Sequence, residues 1–121
     1  MFVIIFNMKI ISSPISIKEL QEIAKKKFGN LIKAVVDIEK EIMAIDGDFH
    51  ADEERLLLEN GSKQINLWGI NLYPELIGED FIEYDSIINL RPSFGNKTRG
   101  VDDQKIREKI KKIVQKLVIF S

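Results

Sequence analysis

Ala44-Ile-Asp-Gly-Asp-Phe-His-Ala-Asp-Glu-Glu-Arg-Leu-Leu-Leu-Glu-Asn-Gly61 carries the clearest change of structural period in the chain. Met43 and Ile45 are apolar with polar Asp46 between Ile45 and Gly47, as at the end of a strand, whereas Leu56, Leu57 and Leu58 form an apolar block in surroundings too charged for a strand. Asp52 and Glu53 would sit in the first turn of a helix, where the dipole favours negative charge. Asn60-Gly61 supplies the residue that tolerates positive φ just past its end. The spacing therefore predicts a strand, a short connection and a helix over 51–60.

Working outward, Leu31 to Asp46 reads as a hairpin with one buried face. A turn at Glu39-Lys40 pairs Val36 with Met43 and Ala34 with Ile45, and sets Lys33 opposite Asp46 on the other face. Upstream, Ser16-Ile-Lys-Glu19 matches a capping box, so a helix is expected over 17–28 with Leu20, Ile23, Ala24 and Phe28 inward and Gly29 as its stop. Downstream, Ile65 to Tyr73 reads as a strand whose apolar phase slips near Gly69, which implies a bulge or burial on both sides. Ile82 to Leu90 alternates and is expected to pair antiparallel with it. After a glycine-rich loop at 92–101, Ile106, Ile110, Ile113, Val114 and Leu117 recur at helical spacing behind Asp102 or Asp103 as cap, giving a helix to about 118.

The order α-β-β-α-β-β-α implies an α+β fold: a mainly antiparallel sheet of four or slightly more strands, with helices packed on one face. At 121 residues the chain reads as a single domain, and residues 1–7, mostly apolar, read as an extension or an edge strand. That opening is too short to span a bilayer and lacks the basic flank of a signal peptide, so no membrane partner is expected. With no cysteine, disulfides, thiolate nucleophiles and cysteine-ligated zinc are excluded, and a reducing cytoplasm is the expected home.

A net charge of −1 removes the global argument for nucleic-acid binding, but charge is placed unevenly. Residues 37–60 hold nine acids against Lys40 and Arg55, and residues 91–116 hold nine bases against Asp102, Asp103 and Glu108. The two regions are expected to attract each other.

Standard motifs fail residue by residue. His50-Ala-Asp-Glu-Glu lacks the second histidine of a zinc protease, the loop from Asp46 lacks the glycine and final acid of a calcium loop, and Gly95-Asn-Lys-Thr is not a phosphate loop. Two constellations survive. The first is catalytic in type: His50 as general base or metal ligand with Asp52 or Glu53 as its carboxylate partner, because an imidazole beside carboxylates titrates near neutrality. The second is a donor-rich loop opening into a helix, in which Arg91, Ser93, Asn96 and Arg99 are positioned to bind a small anionic ligand. A helix N-terminus dressed with acids, and a solvated loop, are the plainer readings of the same residues.

Phe28-Gly29, Ile32-Lys-Ala-Val-Val-Asp-Ile38, His50-Ala-Asp52, Leu56-Leu-Leu58, Gly61-Ser-Lys-Gln64, Leu67-Trp-Gly-Ile-Asn71, Ser86-Ile-Ile-Asn-Leu-Arg-Pro92 and Gly95-Asn96 together resemble a family of short prokaryotic proteins catalogued as a domain of unknown function. The resemblance runs from about residue 8 to 118, and it implies no reaction, cofactor or ligand. The leading expectation is a small cytoplasmic binding or regulatory module without catalysis, with homo-oligomerisation through a sheet edge as a further expectation. The alternative is a small hydrolase or transferase built on His50 with an arginine-lined anion site, and a weaker one is nucleic-acid binding through residues 91–116. The enzyme reading requires His50 and Arg91 to share one cleft.

Overall fold

The computed structural model describes residues 7–120, so the expectation for the opening segment falls almost wholly outside the described residues. Its elements are β1 (Lys9–Ile11), β2 (Ile15–Ser16), α1 (Ile17–Lys27), β3 (Ile32–Asp37), β4 (Ile42–Ile45), α2 (His50–Glu59), β5 (Leu67–Leu72), β6 (Ile82–Glu83), α3 (Gln104–Leu117) and β7 (Val118–Ile119). β1, β4, β3, β5 and β6 lie side by side in that order, each antiparallel to its neighbour, and β2 pairs with β7 in a separate parallel ribbon. The fold is α+β.

The hairpin has the expected register, with Val36 opposite Met43 and Ala34 opposite Ile45. Its turn is held by Asp37, whose Oδ1 accepts the N–H groups of Glu39 and Lys40, both at 2.9 Å. Ser16 caps α1 by accepting the Glu19 N–H at 3.1 Å, but the Glu19 carboxylate pairs with Lys9 at 3.0 Å rather than reaching back to the cap.

One expectation is corrected: the helices do not share a face. Ala34, Val36, Met43, Ile45, Trp68 and Ile70 pack with α1 and α3 in the main core, while Val35, Ala44 and Leu67 face the other way and are covered by Leu57 of α2. Val35 and Ala44 are fully buried, so the hairpin is covered on both sides. The predicted pair Lys33–Asp46 does not form, because Asp46 adopts a left-handed φ of 67° that turns the chain out of β4. Its carboxylate instead meets Lys27 at 3.3 Å, while the Lys33 ammonium lies over the Phe28 ring.

β5 carries no bulge; its register with β3 is continuous from Leu67 to Leu72, and the phase slip reflects burial on both faces. Gly69 is required there, since a Cβ would stand 2.5 Å from the Ser86 Cβ and Oγ and 3.2 Å from His50 Cγ. The strand expected over 82–90 is reduced to two residues. Beyond Glu83 the edge of β5 is satisfied by a side chain: Asn89 Oδ1 accepts the Gly69 N–H at 2.8 Å and Asn89 Nδ2 donates to the Gly69 carbonyl at 2.9 Å. No helix among the described residues is long and apolar enough to cross a membrane.

Candidate functional site

His50 and Glu53 stand one helical turn apart at the start of α2, so both side chains face the sheet. His50 Nε2 donates to the Ile70 carbonyl at 2.7 Å, which makes Nε2 the protonated nitrogen of a neutral ring. Burial pushes its pKa down, and the hydrogen bond to Ile70 only partly offsets this. Glu53 is wholly buried, and burial pushes its carboxyl well above the ordinary range despite the Gly47 N–H that donates to Oε2 at 2.9 Å. A Cβ at Gly47 would come within 2.7 Å of Glu53 Cγ, so the glycine and the acid form one close-packed clip between β4 and α2.

Asp52, two residues after His50, points to a different side. It lines a cavity of about 450 Å³ with Lys27, Asp46, Asp48 and Arg55, and neither His50 nor Glu53 is on that wall. The structure thus sets Asp52 apart from His50 and Glu53, and those two bond different partners, His50 to Ile70 and Glu53 to Gly47.

Of the loop residues, Asn96 is buried and structural. Its Nδ2 donates to the carbonyls of Asn89, Thr98 and Gly100, and its Oδ1 accepts the Asp102 N–H at 2.8 Å, so it draws the whole loop around itself. Ser93 is exposed, and Arg99 is a surface residue whose Nε meets Asp85 Oδ1 at 2.8 Å. The helix entrance is occupied as well: Asp103 Oδ1 accepts the Lys105 N–H at 2.8 Å and Asp102 accepts from Lys97 N–H and Thr98. The expected attraction between acidic and basic regions amounts to one ion pair among the described residues, Lys116 to Glu41 at 3.1 Å.

Arg91 is different. It is 9% exposed, its Nη1 donates to the Gln64 carbonyl at 2.7 Å and its Nη2 to the Leu67 carbonyl at 3.0 Å, and its guanidinium lies 4.3 Å above the Trp68 ring. These contacts lay the side chain along the free edge of β5. Its Nε–H is buried without an acceptor among the described residues, and so is the indole N–H of Trp68. Both residues line a cavity of about 440 Å³, closed by Ile38, Ile65, Phe94 and, from the first turn of α3, Asp103 and Ile106. No carboxylate lies within ion-pair distance of Arg91 among the described residues; Glu54 acts on it from farther off, and burial lowers its pKa.

His50 packs against Gly69 on the α2 face of β5, whereas Arg91 stacks on Trp68, whose ring belongs to the opposite face. They do not share a cleft. Trp68, Asp103 and Ile106 were not legible as site residues: each fits a plain structural role by spacing, and only the folding of α3 across the end of β5 brings them to one wall.

No curated protein and no solved structure matches the chain. A family model does match, over residues 9–117, which run from the first residue of β1 to the last of α3. The chain belongs to the family described as Protein of unknown function (DUF5674).

Proposed function

We propose that the protein is a small cytoplasmic binding module without catalysis of its own, which takes a small anionic ligand in the cavity beside Arg91 and Trp68. The observation that carries this reading is the Arg91 guanidinium, stacked on Trp68 and without an ion-pair partner among the described residues, on the wall of the cavity that Trp68 also lines. A guanidinium held largely away from water without a counter-charge is destabilised, and an anion placed beside it recovers part of that cost. A hydrolase or transferase is less well supported, since His50 is buried against Gly69 on the opposite face of the sheet from Arg91, and Asp52 lines a different cavity from either.

The chain has a single tryptophan, so one indole N–H signal in a proton–nitrogen correlation spectrum reports on the site. Titration with a panel of small anions is expected to move that signal saturably. Arg91→Lys keeps the charge but loses the planar fork, and is expected to weaken binding about tenfold or more. An indole signal indifferent to every anion, with Arg91→Lys as stable as the parent, would remove the proposal.

A further inference from the structure

We infer that the outer face of α3 is a docking surface for the phosphate backbone of a polynucleotide, held by Lys105, Lys109, Lys112 and Lys116. All four lysines are exposed, while Ile110, Ile113, Val114 and Leu117 on the other side of the helix are buried in the main core. By helical spacing the four fall within about 60° of arc, so they form one row, and the row runs about 16 Å along the axis. Its steps of three or four residues are about 4.5–6 Å each, comparable to the step between successive phosphates of an extended strand.

The row carries more charge than a solvated helix needs. α1 packs in the same core and has an outward face of ordinary type, with Glu19 and Glu22 set among four lysines. α3 has six basic residues and one acid, Glu108. Lys109 and Lys116 have no acid three or four residues away on the helix, and like charges follow one another along the row at spacings that weaken a helix. Glu108 stands one turn from Lys105 and Lys112, but its carboxylate accepts from Gln104 Nε2 at 3.1 Å and meets no ammonium. Among the described residues only Lys116 of the row has an ion-pair partner, Glu41 at 3.1 Å. A polyanion supplies the counter-charge that the fold leaves out.

The surroundings of the row choose between polyanions. A helix that lies on a membrane turns its apolar side into the lipid, and the apolar side of α3 is spent on the core. The exposed residues beside the lysines are Gln104, Glu108 and Gln115, so the face offers no hydrophobic anchor. A single line of charge matches one backbone better than a broad anionic surface. α3 holds no aromatic residue on which a base could stack, which makes the contact one with phosphates and indifferent to sequence. None of the four lysines lines the cavity beside Arg91, so this surface stands apart from the anion site proposed above.

Fluorescence anisotropy on the full chain tests it, with labelled mixed-sequence DNA and RNA of about 20 nucleotides, single- and double-stranded. Saturable micromolar binding is expected, with log K falling against log salt at a slope of about −3 to −4, the value for four phosphate contacts. Lys109→Glu combined with Lys112→Glu is expected to weaken binding at least about tenfold. Lys25→Glu combined with Lys26→Glu on α1 makes the same change in net charge and is expected to weaken it less than about threefold. Lys109→Arg combined with Lys112→Arg keeps the charge and is expected to keep the binding. Equal weakening by the two charge reversals, a slope near zero, or no binding at low salt would overturn the surface. Tighter binding of phosphatidylserine vesicles or of poly-glutamate than of any oligonucleotide would overturn its assignment to nucleic acid.

Discussion

Two buried titratable residues at the start of α2 pull the stability in opposite directions with pH. Glu53 has its pKa raised by burial, so the folded chain holds that proton more tightly than the unfolded one. Its contribution is complete at pH values below the ordinary glutamate range and is lost as the pH rises toward its raised folded value. His50 has its pKa lowered by burial, so its contribution is complete above about 6.5 and is lost as the pH falls below that. Glu53→Gln keeps the acceptor for the Gly47 N–H without an ionisable group, and is expected to raise the thermal midpoint at pH 8, with the gain shrinking toward pH 4. Scanning calorimetry across that range checks it; a gain that grows toward acid pH would contradict the assignment. Gly69→Ala is expected to cost about 1–3 kcal/mol by forcing a Cβ into Ser86, measurable by denaturant unfolding. The identity of these residues could be read from the sequence, but their roles could not. The acids of 46–53 look alike in one dimension, and only the helical phase decides that Glu53 is buried and Asp52 is not.

Elements whose side chains alternate against two different layers were readable, and those completed by side-chain hydrogen bonds were not. The hairpin register followed from Ala34, Val36, Met43 and Ile45 because a slip of one residue would turn all four away from the core. The run Ile82 to Leu90 has the same alternation, yet it is mostly not a strand. Asn89 gives its carboxamide to Gly69, Ser86 Oγ accepts the Ile88 N–H, and Arg91 reaches the Leu67 carbonyl, so side chains take over where the β5–β6 ladder would continue. Asn89→Ala is expected to destabilise by about 1–3 kcal/mol, because the Gly69 N–H and carbonyl lose their partners together. Urea unfolding measures it, and a loss below about 0.5 kcal/mol would show the edge to be satisfied in some other way. β7 left no trace in the sequence, since two residues in parallel pairing carry no period.

At the scale of the whole molecule, the sheet divides two cores of unequal size. The larger, under α1 and α3, contains Leu20, Val36, Trp68, Ile110 and Leu117; the smaller, under α2, is built on Val35, Ala44, Leu57 and Leu67. Val36→Ala is expected to cost about 1–3 kcal/mol through the cavity it leaves. Native-state hydrogen exchange is expected to show the α2 amides opening at lower free energy than those of α3, because fewer buried side chains hold that layer. Equal protection in the two helices would contradict this. The fold class and main core were legible from periodicity, whereas the covering of the second face was not, because Lys33 and Asp37 interrupt its apolar pattern.

The parallel pairing of Ile15 with Val118 and Ser16 with Ile119 has a consequence for biosynthesis. A ribosome releases β2 and α1 long before α3 and β7, so Leu20 and Ala24 wait with their apolar face uncovered while almost all the remaining chain is made. Nascent chains of this protein therefore depend on being held or kept dilute until their last turn of helix emerges, and a stalled chain ending before α3 is a target for proteases and not a smaller version of the fold.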